Sequence, residues 1–97
     1  MSWNLRFSNQ AAKQYQKLKK SGTKPSINDM VDLLAIELKA FGPERVTWPN
    51  YGKLSDNTYH CHLKKGKTTY VACWILLSYE KKQIEIYYVG THENAPY

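Results

Sequence analysis

Three histidines are the residues of this chain best suited to chemistry: His60 and His62, in the run Tyr59-His60-Cys61-His62-Leu63, and His92. An imidazole titrates near ~6.5, so at neutral pH it can both take and give a proton. On a strand alternate side chains share a face, which sets His60 and His62 side by side at ~7 Å and turns Tyr59, Cys61 and Leu63 the other way. Such a pair reads as acid–base machinery, as two metal ligands, or as surface histidines with no task. The metal reading is disfavoured, because no Asp, Glu or Cys stands nearby at a clear ligand spacing. Cys61, turned inward, reads as a buried thiol and not as a nucleophile. The run Tyr87-Tyr88-Val89-Gly90-Thr91-His92-Glu93-Asn94-Ala95-Pro96-Tyr97 ends a strand at Gly90 and then presents His92 and Tyr97 in a short irregular tail. All three histidines would then lie on edges or ends of adjacent strands, which favours one shared site over a frayed terminus.

The elements that must position these groups follow from periodicity. Trp3 to Phe7 alternates apolar and polar, as a half-buried strand does. Ser8 offers a cap for a first helix, in which Ala11, Ala12, Tyr15 and Leu18 recur at helical spacing and Gly22 supplies the stop. A second helix follows Pro25, with Ser26 as cap, Asp29 completing a capping box, and Ile27, Met30, Val31, Leu34, Leu38 and Phe41 as its apolar stripe. Gly42-Pro43 ends it. Pro43 to Pro49 reads as loop. The period then changes to two, with strands expected over 51–54, 58–63, 68–77 and 83–89 and turns at 55–57, 64–67 and 79–82. Strand, helix, helix and then closely spaced strands describe an α+β fold: a two-helix hairpin on an antiparallel sheet of about four strands. Residues 1–97 read as a single domain.

Composition narrows the partners. Twelve lysines and two arginines, Arg6 and Arg45, outweigh eight acidic residues, for a net charge of +6. The 13% aromatic content and 42% hydrophobic content suffice for one small core, despite a mean hydropathy of −0.62. No apolar run approaches the ~20 residues that span a bilayer, so no membrane partner is expected. The opening residues lack the apolar stretch of a secretory signal, which makes the cytoplasm the expected compartment. Two cysteines make no disulfide framework and no C-x-x-C metal motif. Lys13, Lys17, Lys19, Lys20 and Lys24 on or after the first helix, and Lys64, Lys65 and Lys67 on a hairpin, either solvate the surface or grip a polyanion such as RNA. Trp48, Tyr51 and Tyr97 are the stacking candidates beside them.

In the order of its elements and in Lys53-Leu54, Tyr59-His60-Cys61-His62-Leu63 and Tyr88-Val89-Gly90-Thr91-His92, nearly the whole chain resembles the RelE/ParE toxin superfamily. The resemblance implies a toxin of a type II toxin–antitoxin system that cuts mRNA in the ribosomal decoding site without metal or cofactor and is neutralised by a cognate antitoxin. It sets His60 and His62 where typical members carry Lys-x-Lys. It puts His92 where they carry an arginine after a Val-Gly turn, and Tyr97 one residue closer than their C-terminal tyrosine. Another family arginine would fall near Thr69 or Tyr70, where this chain has none. The implied roles are a general base at His60 or His62 and phosphorane stabilisation by its protonated neighbour. His92 is the general acid, Tyr97 holds a base, and Lys65 or Lys67 holds the phosphate. Lys13, Lys17, Lys20, Lys53 and Lys64 complete the expected contacts with mRNA and ribosomal RNA. Three readings remain open: this nuclease, a ParE-like gyrase inhibitor or inactive antitoxin-binding homologue, and a metal enzyme built on the three histidines.

Overall fold

A computed structural model of the chain describes residues 2–21, 25–64 and 69–97. The chain opens with β1 (Asn4–Phe7) and continues through α1 (Asn9–Ser21), α2 (Pro25–Phe41), β2 (Gly52–Ser55), β3 (Thr58–Lys64), β4 (Tyr70–Ser78) and β5 (Gln83–Thr91). Gly22, Lys24, Lys65 and Lys67 lie outside the described residues, as does most of the expected 64–67 turn.

Ser8 caps α1 as its position implies, its hydroxyl accepting from the Ala11 amide at 3.0 Å. Ala11 is buried and Ala12 exposed, so the inward face runs through Ala11, Gln14, Tyr15 and Leu18. Helix α2 begins at Pro25, one residue ahead of the expected cap Ser26; a proline at the first helical position forfeits no hydrogen bond. Ile27, Val31, Leu34 and Leu38 are fully buried. Phe41, expected on that stripe, is 68% exposed and lies against the Arg45 guanidinium instead. The helix stops at Gly42, whose φ of +97° suits glycine and whose amide bonds the Leu38 carbonyl at 3.0 Å. A Cβ there would sit 2.8 Å from the Trp3 ring, so the close approach of β1 also requires glycine.

The sheet has five strands in the order β1-β5-β4-β3-β2, and it is mixed. The expectation of an antiparallel sheet of about four strands is corrected in one respect: β1 joins as the fifth strand, parallel to β5, pairing Asn4 with Gln83 and Phe7 with Ile86. Both helices intervene before β2, and β1 fills the edge that β5 would otherwise leave open. This pairing spans almost the whole chain, so local alternation carried no sign of it. The core between helices and sheet centres on the fully buried Trp74, which stacks on Tyr59 at 6.0 Å and donates its indole N–H to the Pro43 carbonyl.

A bulge in β5 decides what the other face of the sheet carries. Cys73 pairs with Tyr88 and Trp74 with Ile86, leaving Tyr87 as the extra residue. Ile84, Ile86 and Val89 therefore all reach the helix-side core, while Tyr88 joins Val71 and Cys73 in a second cluster on the opposite face.

Candidate active site

Regular alternation in β3 sends Tyr59, Cys61 and Leu63 into the helix-side core and leaves His60 and His62 half-buried on the far face. Space for the His60 ring comes from its cross-strand partner, Gly52; a Cβ on Gly52 would lie 3.3 Å from Nε2. Beyond the end of β2, Pro49 and Asn50 take over as neighbours of β3. The His62 amide donates to the Pro49 carbonyl at 2.7 Å, and Asn50 Nδ2 faces His62 Nε2 at 3.5 Å. Asn50 holds a left-handed φ of 51°, a conformation asparagine tolerates better than most residues.

His92 begins a 3-10 turn, His92–Asn94, directly after β5. Two main-chain anchors fix its start. The His92 amide bonds the Thr69 carbonyl at 2.8 Å, and the Tyr88 hydroxyl donates to the Thr91 carbonyl at 2.7 Å. The Tyr88 side chain reaches there by crossing Gly90, where a Cβ would meet the hydroxyl at 2.7 Å. The turn then returns the chain so that Tyr97 packs on His60, with ring centroids 4.7 Å apart. Tyr97 also meets His92 edge-on at 5.8 Å, and His92 meets His62 at 5.5 Å. Four rings thus form one arc, His60–Tyr97–His92–His62. Tyr97 keeps 47% of its surface exposed, and His92 is exposed as well, so the arc is open to a large ligand.

Burial holds the His60 pKa below the ordinary histidine value, and the neighbouring His92 charge adds to the effect. His60 Nδ1 is buried without a hydrogen-bond partner among the described residues, which leaves nothing to stabilise an imidazolium there. Burial raises the Tyr97 phenol, so it stays protonated. Cys61 is fully buried and its thiol is pushed far up by desolvation, while Cys73, beneath the histidines, is pushed up to about 12 by the same cause. Neither thiol is a nucleophile near neutral pH. Among the described residues no group of three or more His, Cys, Asp or Glu is arranged to hold a metal ion.

Lys13, Lys17, Lys20 and Lys53 stand elsewhere. Lys13, Lys17 and Lys20 line a shallow groove along the outer side of α1, on the helix side of the sheet. Lys53 lies over the Tyr59 ring, also away from the histidine face. Lys64 ends β3, and Lys65 and Lys67 lie outside the described residues. Two expected stacking residues are corrected: Trp48 is 7% exposed, with its indole N–H on Glu37, and Tyr51 packs against the Tyr59–Trp74 pair. Neither reaches the ring arc. No arginine is at hand either, since Arg6 pairs with Glu85 and Arg45 with Glu37. Sequence reasoning missed Asn50, Gly52 and Tyr88; only the turn-forming pair Pro49-Asn50 and the glycine opposite His60 hinted at them.

Neither a family model nor a curated protein matches the sequence. Comparison with solved structures does find relatives in shape. A mutant of E. coli toxin RelE in the free state superimposes with a TM-score of 0.67 at 18% identity, covering 96% of this chain and 86% of that one. The chain has a RelE-like fold. A metal-bound toxin from Helicobacter pylori gives 0.66 at 19% identity over 96% and 97% of the two chains. The RelE–RelB complex from Pyrococcus horikoshii gives 0.61 at 15% over 98% and 100%. On the RelE-like frame, the two-helix hairpin covers one face of the sheet and the histidine–tyrosine arc occupies the other. No helix of the described residues is long and apolar enough to cross a membrane.

Proposed function

We propose that this RelE-like chain is the toxin of a type II toxin–antitoxin system: a metal-independent endoribonuclease that cuts mRNA on the ribosome and so arrests translation. The observation that carries the reading is the convergence of His60, His62, His92 and Tyr97 from β3 and the post-β5 turn into one open arc. The RNA 2′-oxygen attacks the adjacent phosphorus, the P–O5′ bond breaks, and a 2′,3′-cyclic phosphate and a free 5′-hydroxyl remain. His60, kept neutral by burial, takes the 2′-OH proton. His92 gives a proton to the departing 5′-oxygen. Protonated His62 stabilises the charge of the phosphorane. Tyr97 stacks against a base of the substrate.

The lysines of α1 suit ribosomal RNA, and Lys53, Lys64, Lys65 and Lys67 suit further phosphates. A RelE-like chain solved together with RelB supports a protein antitoxin as the other partner. A cytoplasmic location follows from such partners. The test is primer-extension mapping of transcripts after induction, with His92→Gln as control and an EDTA arm in which the purified chain alone is stripped with EDTA and dialysed before it meets ribosomes in their own magnesium buffer. New ends that require His92 and survive EDTA are expected. Gyrase inhibition with intact mRNA would replace this reading, and EDTA-sensitive cleavage would reinstate the metal enzyme.

A further inference from the structure

An open groove of about 560 Å³ runs along the free end of β5, outside the ring arc. Gln10, Gln14 and Lys17 of α1 form one wall, and Tyr70, Thr91 and Asn94 form the other. Thr91 and Asn94 flank His92 in the chain, so the groove begins where the arc ends. None of its described lining residues is acidic. At its other end Lys17 is shared with the Lys13–Lys20 groove on the outer side of α1.

Gln14 gives the groove a defined polarity. Strand β1 ends opposite Ile86, so the next stretch of β5 is paired with β4 alone and has no strand on its outer edge, where the Val89 amide donates to Gln14 Oε1 at 2.9 Å instead. A carboxamide whose oxygen is held by a main-chain N–H is fixed in orientation, and its NH₂ is the donor it offers a ligand. A rigid donor, two further amides at Gln10 and Asn94, an aromatic edge at Tyr70 and one lysine are what a nucleotide needs. Its base edge meets the amides and its phosphate meets the ammonium. The volume falls within the ordinary range of small-ligand sites, ~300–1,000 Å³.

We infer that this groove is a nucleotide subsite, which holds the RNA residue next to the cleaved phosphate and reads a base acceptor through the Gln14 NH₂. The assignment rests on the nuclease reading for its ligand, but its geometry is independent of cleavage. The test is an NMR titration of the full chain with a 2′-O-methyl RNA trinucleotide, which binds but cannot be cut. The side-chain amide signals of Gln14 and Asn94 and the main-chain signal of Gly90 should move together and saturate. Gln14→Glu keeps an oxygen for the Val89 amide but replaces the donor. It should retain the wild-type melting temperature and bind about three- to tenfold more weakly, also at high ionic strength, where simple charge repulsion is screened. Groove signals that stay still, or a Gln14→Glu variant that binds as the wild type does, would overturn the assignment. A chain that cleaves nothing yet titrates in the groove would refute the nuclease and keep the subsite. One that cleaves while the groove stays silent would do the reverse.

Discussion

Tyr88→Phe removes one hydroxyl from the hydrogen bond to the Thr91 carbonyl and leaves the ring in place. A neutral hydrogen bond contributes ~0.5–1.5 kcal/mol net. The value here belongs near the low end, because Thr91 lines an open groove and water can replace the lost donor. At ~1 kcal/mol or less the melting temperature of a chain of this size should fall by no more than about 4–8 °C. The effect on catalysis should be larger than that. The Tyr88 bond is one of two main-chain anchors on the His92 turn, the other being the His92 amide on Thr69. A displacement of ~1 Å at a reacting group costs ~10²-fold in rate. Losing one anchor of two should cost part of that, roughly tenfold in kcat with KM little changed. Single-turnover cleavage on programmed ribosomes measures it, and a double-mutant cycle with His92→Gln assigns it. If Tyr88 acts through His92, Tyr88→Phe has no further effect once His92 is gone. A tenfold loss that persists in the His92→Gln background would refute this reasoning and give Tyr88 a role of its own.

Burial and the His92 charge both disfavour protonated His60, so its neutral form should persist below the ordinary value of ~6.5. The acidic limb of the pH–rate profile should therefore lie below that value, and His92→Gln should move it upward in the residual activity. A limb that does not move would separate the two residues. The same shift bears on stability: between the lowered folded pKa and ~6.5 the unfolded chain binds a proton that the folded chain does not, so this contribution falls as pH drops through that window. Urea denaturation of wild type and His60→Asn should diverge there and nowhere above it. Cys61 and Cys73 should resist thiol reagents in the native chain and react only after denaturation; rapid native labelling with loss of activity would contradict their burial. Gly42→Ala, at a φ of +97° and 2.8 Å from Trp3, should destabilise by about 1–3 kcal/mol or more in urea melts. A neutral effect would mean that Trp3 moves aside freely.

Much of the site could be read from β3 alone, because a period of two in Tyr59-His60-Cys61-His62-Leu63 leaves only one way to face a core with Tyr, Cys and Leu. Ser8 and Gly42 were equally plain, since capping and left-handed stops are local chemistry. What escaped was non-local. The Tyr87 bulge shifts the alternation of β5, so counting by twos from Ile84 would put Tyr88 in the core and Val89 outside it. Parallel pairing of β1 with β5 depends on residues 79 apart, such as Asn4 and Gln83. Trp48 and Tyr51 were expected to stack beside the lysines, yet Glu37 and the Tyr59–Trp74 stack draw both inward. The scarcity of arginine had a structural meaning as well. Both arginines are engaged with glutamates elsewhere, and the open ring arc is built from three histidines and Tyr97.

The most direct test of the account is the mapping of mRNA ends in cells that express the wild-type chain or His92→Gln at equal levels. New cleavage ends within translated codons are expected for the wild type, carrying 5′-hydroxyls, with their loss by at least ~10²-fold in the variant. Identical ends from both chains, or translation arrest with no new ends in either, would contradict it.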